Sequence, residues 1–139
     1  MPTLKAGCFL VNKKTKKIAL VYREKHNDYS FPKGHVEQGE NLIECAVRET
    51  AEETKRQAKI LTMYEPNVEN YTTPSGEQCQ CHLFFALDCG KSDNQSTDTH
   101  QVVWTDINQV EQKLTSDGLK TVWQQAKPII EKILNSKQA

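Results

Sequence analysis

Apolar and polar positions change rhythm several times along this chain, and each change marks an element. LKAGCFLV at 4–11 and IALVYR at 18–23 are short β-type runs on either side of the polar stretch NKKTKK. Two such runs around a polar turn predict a hairpin. Residues 24–40 have no apolar period and contain Pro32, Gly34 and Gly39, which predicts a loop. From Asn41 to about Lys55 the period turns helical. Ile43, Ala46, Val47, Thr50 and Thr54 fall on one stripe, expected to face the core. Asn41, with Glu44 three positions later, reads as the capping pair that starts this helix.

Extended segments follow near 58–65 and 78–88, with a turn at TPSGE between them. Beyond a polar loop at 89–99, QVVWT at 101–105 reads as a last strand, and amphipathic helical stretches cover about 106–114 and 117–135. Pro128 inside the last of these is expected to kink it or mark a boundary. Strands mixed with helices predict a layered α/β or α+β domain. At 139 residues the chain is most simply one domain, 1–139, able to bury a core without disulfides.

Charge adds an asymmetry. The chain is neutral as a whole, so no global attraction to nucleic acid or to a membrane is expected. Yet residues 1–35 hold eight Lys or Arg against Glu24 and Asp28, and the remainder carries the balancing negative charge. That excess points to an anion handled near the N-terminal segment, with a solvated turn as the plainer source of half of it. Five cysteines, Cys8, Cys45, Cys79, Cys81 and Cys89, accompany no leader and no apolar run of membrane-spanning length. No second Cys pair or His-x-His completes a zinc site, so free thiols in a reducing cytoplasm are expected.

The candidate chemistry lies in the first helix. Glu49, Glu52 and Glu53 stand within five positions on a stripe shared with Cys45 and Arg56. Like charges at helical spacing destabilise a helix by about 0.2–0.5 kcal/mol per pair. Arg48 lies four residues before Glu52, and Glu52 four before Arg56, so both spacings suit ion pairs. Glu49 and Glu53 have no such partner in the sequence. Two carboxylates four apart suit a hard divalent cation, which takes oxygen ligands and retains waters.

The spacing of Gly34, Glu40, Arg48-Glu49 and Glu52-Glu53 resembles the Nudix box, G-x5-E-x7-R-E-U-x-E-E-x-G-U, with U aliphatic. Thr50 stands at an aliphatic position of that pattern, Lys55 replaces its closing glycine, and Arg56 replaces the aliphatic residue after it. A helix lacking that glycine is expected to end differently and to run on by a turn. The resemblance implies the family's α/β/α sandwich with a central mixed sheet. It also implies hydrolysis of a nucleoside diphosphate linked to another group, assisted by Mg²⁺ with Mn²⁺ as a substitute.

By that resemblance Gly34 (through its carbonyl), Glu49, Glu52 and Glu53 form the metal-ligand set. Glu49, Glu52 and Asp98 are the candidates for general base, His100 and Asp93 being alternatives to Asp98. Arg48 is implied to orient the glutamates, and Glu40 to tie the loop to the helix. Arg23, Lys33 and His35 flank the box as candidate substrate contacts. Tyr22, Tyr29 and Tyr71 are candidates for stacking on a base, and Cys45 reads as small buried filler.

FPKGHVEQGE with RET-x-EE is most similar in wording to the diadenosine tetraphosphate hydrolase branch, which implies a dinucleoside polyphosphate as substrate. PKG-V-E is shared with RNA pyrophosphohydrolases and diphosphoinositol polyphosphate phosphohydrolases. A non-catalytic nucleotide-binding module is the other class, set against the presence of every box glutamate. The partner expected is therefore a small nucleotide or polyphosphate, not a membrane or DNA, with the protein a monomer or homodimer.

Overall fold

A computed structural model describes residues 1–97 and 100–136. Its strands are β1 (Thr3–Asn12), β2 (Lys17–Arg23), β3 (Asp28–Ser30), β4 (Lys33–His35), β5 (Arg56–Ile60), β6 (Asn67–Thr72), β7 (Gln78–Lys91) and β8 (Gln101–Asp106). The helices are α1 (Leu42–Thr54), α2 (Val110–Lys113) and α3 (Asp117–Asn135). The strands join in one sheet of order β3-β2-β1-β7-β5, with β4 added to β1, β6 to β7 and β8 to β2. β1 and β7 run parallel, from Thr3 opposite Cys79 to Val11 opposite Leu87, and the other pairings are antiparallel. The sheet is mixed, as expected.

Alternation along β1 builds the layers, because successive side chains point to opposite faces. Ala6, Cys8 and Leu10 pack with Cys45, Ala46, Ala58, Phe84 and Ala86 beneath α1. Phe9 and Val11 face the other way, into a larger core with Ile18, Phe31, Phe85 and Trp123 of α3. The Phe9 ring meets Phe31 edge-on at 4.8 Å and Phe85 at 5.1 Å. Small residues under α1 let the helix lie close to the sheet, which fixes its glutamates relative to β4.

Several local expectations are corrected. The 24–40 segment contains β3 and β4, each three residues long and held by pairing to β2 and β1. β6 lies between the two expected extended segments, and TPSGE closes the β6–β7 hairpin, with the Thr73 N–H donating to Glu77 O at 2.8 Å. Ile43 is exposed, whereas Cys45, Ala46, Thr50, Ala51 and Thr54 form the buried face of α1. Only α2, a single turn, represents the 106–114 stretch. α3 continues through Pro128 rather than stopping there.

Both ends of α1 are defined by side chains. Asn41 Oδ1 accepts the Glu44 N–H at 2.8 Å and Glu44 Oε1 accepts the Asn41 N–H at 2.9 Å, a reciprocal capping box. The helix does not run on at its other end. Lys55 adopts the left-handed conformation (φ 58°, ψ 29°) that the missing glycine would have supplied, at a cost of about 1–2 kcal/mol for a residue with a Cβ.

Candidate active site

The C-terminal half of α1 carries Arg48, Glu49, Glu52 and Glu53 toward β4 and the 36–41 loop. Arg48 is the hub. Its Nε and NH2 grip Glu40 at 2.6 and 3.0 Å, and NH1 reaches Glu52 at 2.7 Å and Glu49 at 3.3 Å. NH2 also donates to the His35 carbonyl at 2.9 Å, and Glu37 stands 3.1 Å from Nε. Two-pronged guanidinium–carboxylate contacts fix geometry as well as charge. The Arg48 hydrogen bond holds Glu40 down at a pKa of about 2, and Glu40 in turn raises that of Arg48. The sequence had left Glu49 without a partner; Arg48 serves it as well as Glu52. Arg56, whose spacing suggested Glu52, forks onto Asp88 with two contacts of 3.0 Å.

Glycine at 34 is required by the carboxylate beside it. A Cβ there would stand 2.0 Å from Glu49 Oε2, so the Glu49 carboxyl occupies the hollow that the missing side chain leaves. The Gly34 carbonyl accepts a weak contact from the Cys45 thiol at 3.6 Å. Glu53 lies one turn along from Glu49. Its Oε1 accepts the Lys33 N–H at 3.1 Å, and His100 Nε2 stands 3.8 Å from its Oε2. Burial pushes the Glu53 carboxyl up to about 8, and the charge on Glu49 adds to the rise against the opposing Lys33 N–H bond. Cys45 is buried and its thiol is raised to about 12 by burial, which suits inert filler.

Glu49 and Glu53 place two hard oxygen donors near the Gly34 hollow, and Glu53 is a desolvated carboxylate beside a like charge. Both features favour a cation bound between them. Among the described residues no three His, Cys, Asp or Glu side chains converge as a ready cage.

A groove of about 450 Å³ opens beside Glu53, lined by Tyr22, Arg23, Glu24, Lys25, His26, Glu53, His100 and Gln101. Of the substrate contacts expected from the sequence, Arg23 lines it, tied to Asp28 at 2.7 and 2.8 Å. Lys33 lends its backbone to Glu53 but sends its ammonium away, 3.4 Å from Glu69 and 4.8 Å from the Tyr71 ring centroid. The His35 side chain is exposed outside the groove. Lys25 and His26 line the groove as well, a position that a Lys-His pair in a polar loop does not announce by period or spacing. Tyr22, flagged in the sequence, lines the groove and packs on Tyr29 at 5.1 Å.

The basic N-terminal excess is divided. Lys13–Lys17 turn at the Asn12–Lys17 end of the first hairpin, while Ala6 pairs with Gly34 at the other end of β1. Six residue steps along the strand, from Ala6 to Asn12, separate the two, about 20 Å at roughly 3.3 Å per residue. The turn lysines therefore do not face the glutamates. Asp98 lies outside the described residues.

The NUDIX domain model matches residues 1–131 of the chain. A C. elegans Ap4A hydrolase, solved as a binary complex, is 20% identical, covers 94% of this chain and 98% of its own, and superposes with a TM-score of 0.78. A NUDIX hydrolase from Nitrosomonas europaea is 19% identical over 89% of this chain and 87% of its own, with a TM-score of 0.72. The MutT protein from Methanosarcina mazei Go1 is 15% identical over 97% of both chains, also at 0.72. At such identities the structural likeness speaks to the fold alone. The domain match over nearly the whole chain carries the assignment: this protein belongs to the NUDIX family and is an enzyme of the Nudix pyrophosphohydrolase type. Hydrolases of this family generally use divalent metal ions.

Proposed function

We propose that this enzyme hydrolyses a pyrophosphate bond in a dinucleoside polyphosphate, with diadenosine tetraphosphate as the best-fitting example and Mg²⁺ as the ion. The observation that carries this reading is the groove beside Glu53, whose walls present Arg23, Lys25, His26 and His100. A chain of several phosphates brings more negative charge than one pyrophosphate, and Lys25 and the Asp28-bound Arg23, with Glu24 between them, extend the polar groove beyond Glu53.

Glu53 and Glu49 are the principal ligands in this reading, with Glu52 and the Gly34 carbonyl completing the set. Held there, such an ion would neutralise phosphate oxygens and make water a better nucleophile. Arg48 holds Glu49 and Glu52 in place through the contacts described above. Glu49, Glu52 and Asp98 are the candidates to take the proton from the attacking water. Arg23, Lys25 and His26 bind the phosphates that are not cleaved, and the Tyr22–Tyr29 pair offers a ring face for a base. Four buried free thiols suit a reducing cytoplasm. Among the described residues no helix is long and apolar enough to cross a membrane.

Measuring kcat/KM for diadenosine tetraphosphate, ADP-ribose, a nucleoside triphosphate and a diphosphoinositol polyphosphate tests the substrate class. The expected result is a preference for diadenosine tetraphosphate, weakened by added salt as screening shortens the reach of the basic groove. Lys25→Ala should raise KM for it more than for ADP-ribose. A preference of about tenfold or more (about 1.4 kcal/mol) for any other member of the panel would overturn the branch and leave the hydrolase chemistry standing.

A further inference from the structure

The residue that departs most sharply from the family pattern, Lys55, makes the most specific contacts at the end of α1. Its N–H closes the helix on Ala51 O at 3.0 Å, and its own carbonyl accepts the Ser92 N–H at 3.0 Å. Its ammonium donates to the Asn94 carbonyl at 3.2 Å and also to the Ser96 carbonyl. The segment it meets is folded by its own side chains. Ser92 Oγ accepts the Asn94 N–H at 3.2 Å, and Asn94 Oδ1 accepts the Ser96 N–H at 2.8 Å. A few residues on, the His100 N–H donates to the Glu53 carbonyl at 3.2 Å. Residues 92–97 and His100 are thus attached to the last turn of α1 at three points: Lys55 O, Lys55 Nζ and Glu53 O.

A glycine at 55 could supply the first and third of these and not the second. Carbonyls from the loop and the negative end of the helix dipole together favour a cation at this place. The left-handed backbone of Lys55 is therefore retained alongside a side-chain role that glycine cannot perform.

We propose that Lys55 is a positioning residue: its ammonium, held between the Asn94 and Ser96 carbonyls, fixes the 92–97 loop and so sets His100 against Glu53. The structural half of this inference stands by itself, while its consequence for turnover rests on the hydrolase reading above. Lys55 touches no reacting group and acts through the loop.

Amide hydrogen exchange on the full-length chain, paired with steady-state kinetics, tests this in three variants. Lys55→Met keeps the stem and removes the donors. Exchange at Ser92, Asn94, Ser96 and His100 should quicken about tenfold or more, while the amides of α1 before Thr54 keep their protection. kcat should fall with little change in KM, as expected when the groove still binds but the wall beside Glu53 is loose. Lys55→Gly should show the same loop loosening with an unchanged or higher melting temperature, since glycine suits the left-handed cap. Lys55→Arg should restore both exchange and kcat. Loop protection within about twofold of wild type in Lys55→Met would overturn the tether. Faster loop exchange with unchanged kcat would overturn its positioning role. Failure of the wild-type enzyme to hydrolyse any of the panel would count against the proposed function, whereas the exchange data judge the tether on their own.

Discussion

The Glu49 carboxylate fills the space that a side chain at residue 34 would need: a Cβ on Gly34 would stand 2.0 Å from Glu49 Oε2. Gly34→Ala should therefore expel the end of a flexible side chain and leave the backbone in place. The expected result is a near wild-type melting temperature with kcat/KM down by about 100-fold or more, since Glu49 is displaced from the site. Gly7 offers the contrast. A Cβ there would stand 2.1 Å from the Pro32 carbonyl oxygen, a backbone atom that cannot rotate away. Gly7→Ala should lower the melting temperature markedly. Similar melting temperatures for the two variants would contradict this division between site and scaffold.

Thr50 stands where the box pattern has an aliphatic residue, and its Oγ1 is buried with no hydrogen-bond partner among the described residues. The Cys8 thiol beside it is a weak substitute for water. Thr50→Val keeps the volume and removes the orphaned hydroxyl. It should stabilise the protein by about 1 kcal/mol in urea unfolding, with activity unchanged. A loss of stability would mean that the hydroxyl is bonded in solution.

The pattern of the box and the start of its helix were legible because their signals are local, whereas the extra turn expected at its end does not form, because Lys55 takes the left-handed conformation itself. Asn41 and Glu44 satisfy each other within one turn, and the glutamates keep a fixed spacing. What could not be read depends on distant partners. β3 and β4 have too few residues to show a period and exist through pairing with β2 and β1. β6 carries exposed Val68 beside buried Glu69, the reverse of the polarity that announces a strand. Arg48 was legible as a partner for Glu52 and Glu40, but its contacts with the His35 carbonyl and Glu37 depend on how the 34–41 segment folds back. Ile43 lies on the apolar stripe but near its edge, and the narrow contact of α1 with small residues of β1 leaves it in solvent.

The protein's paired and buried carboxylates pull stability in opposite directions with pH. Arg48 lowers Glu40 to about 2, Arg23 lowers Asp28, and Asp88 is lowered despite its burial by Arg56, Gly90 N–H and Asn12. The unfolded chain, with carboxyl values of about 4, then binds more protons in acid, so these groups stabilise the fold above pH about 5 and lose that effect toward pH 2. Glu53 has the opposite sign. Its folded value of about 8 exceeds the unfolded one, so metal-free stability falls as pH rises from about 4.5 through 8. Melting temperatures in chelator should peak near pH 5. Glu40→Gln should lower the curve above that pH, and Glu53→Gln should remove much of the alkaline decline. An unchanged decline in Glu53→Gln would show that another group causes it.

Hydrolysis of diadenosine tetraphosphate by the wild-type enzyme and by Glu53→Gln, each in Mg²⁺ and in chelator, tests the central claim most directly. The substitution preserves shape and removes one charge from the pair set around Gly34. Turnover by the wild type is expected in Mg²⁺ alone, with a loss of about 100-fold or more in a Glu53→Gln protein that remains folded. Near wild-type turnover by Glu53→Gln in Mg²⁺, or turnover by the wild type in chelator, would contradict it.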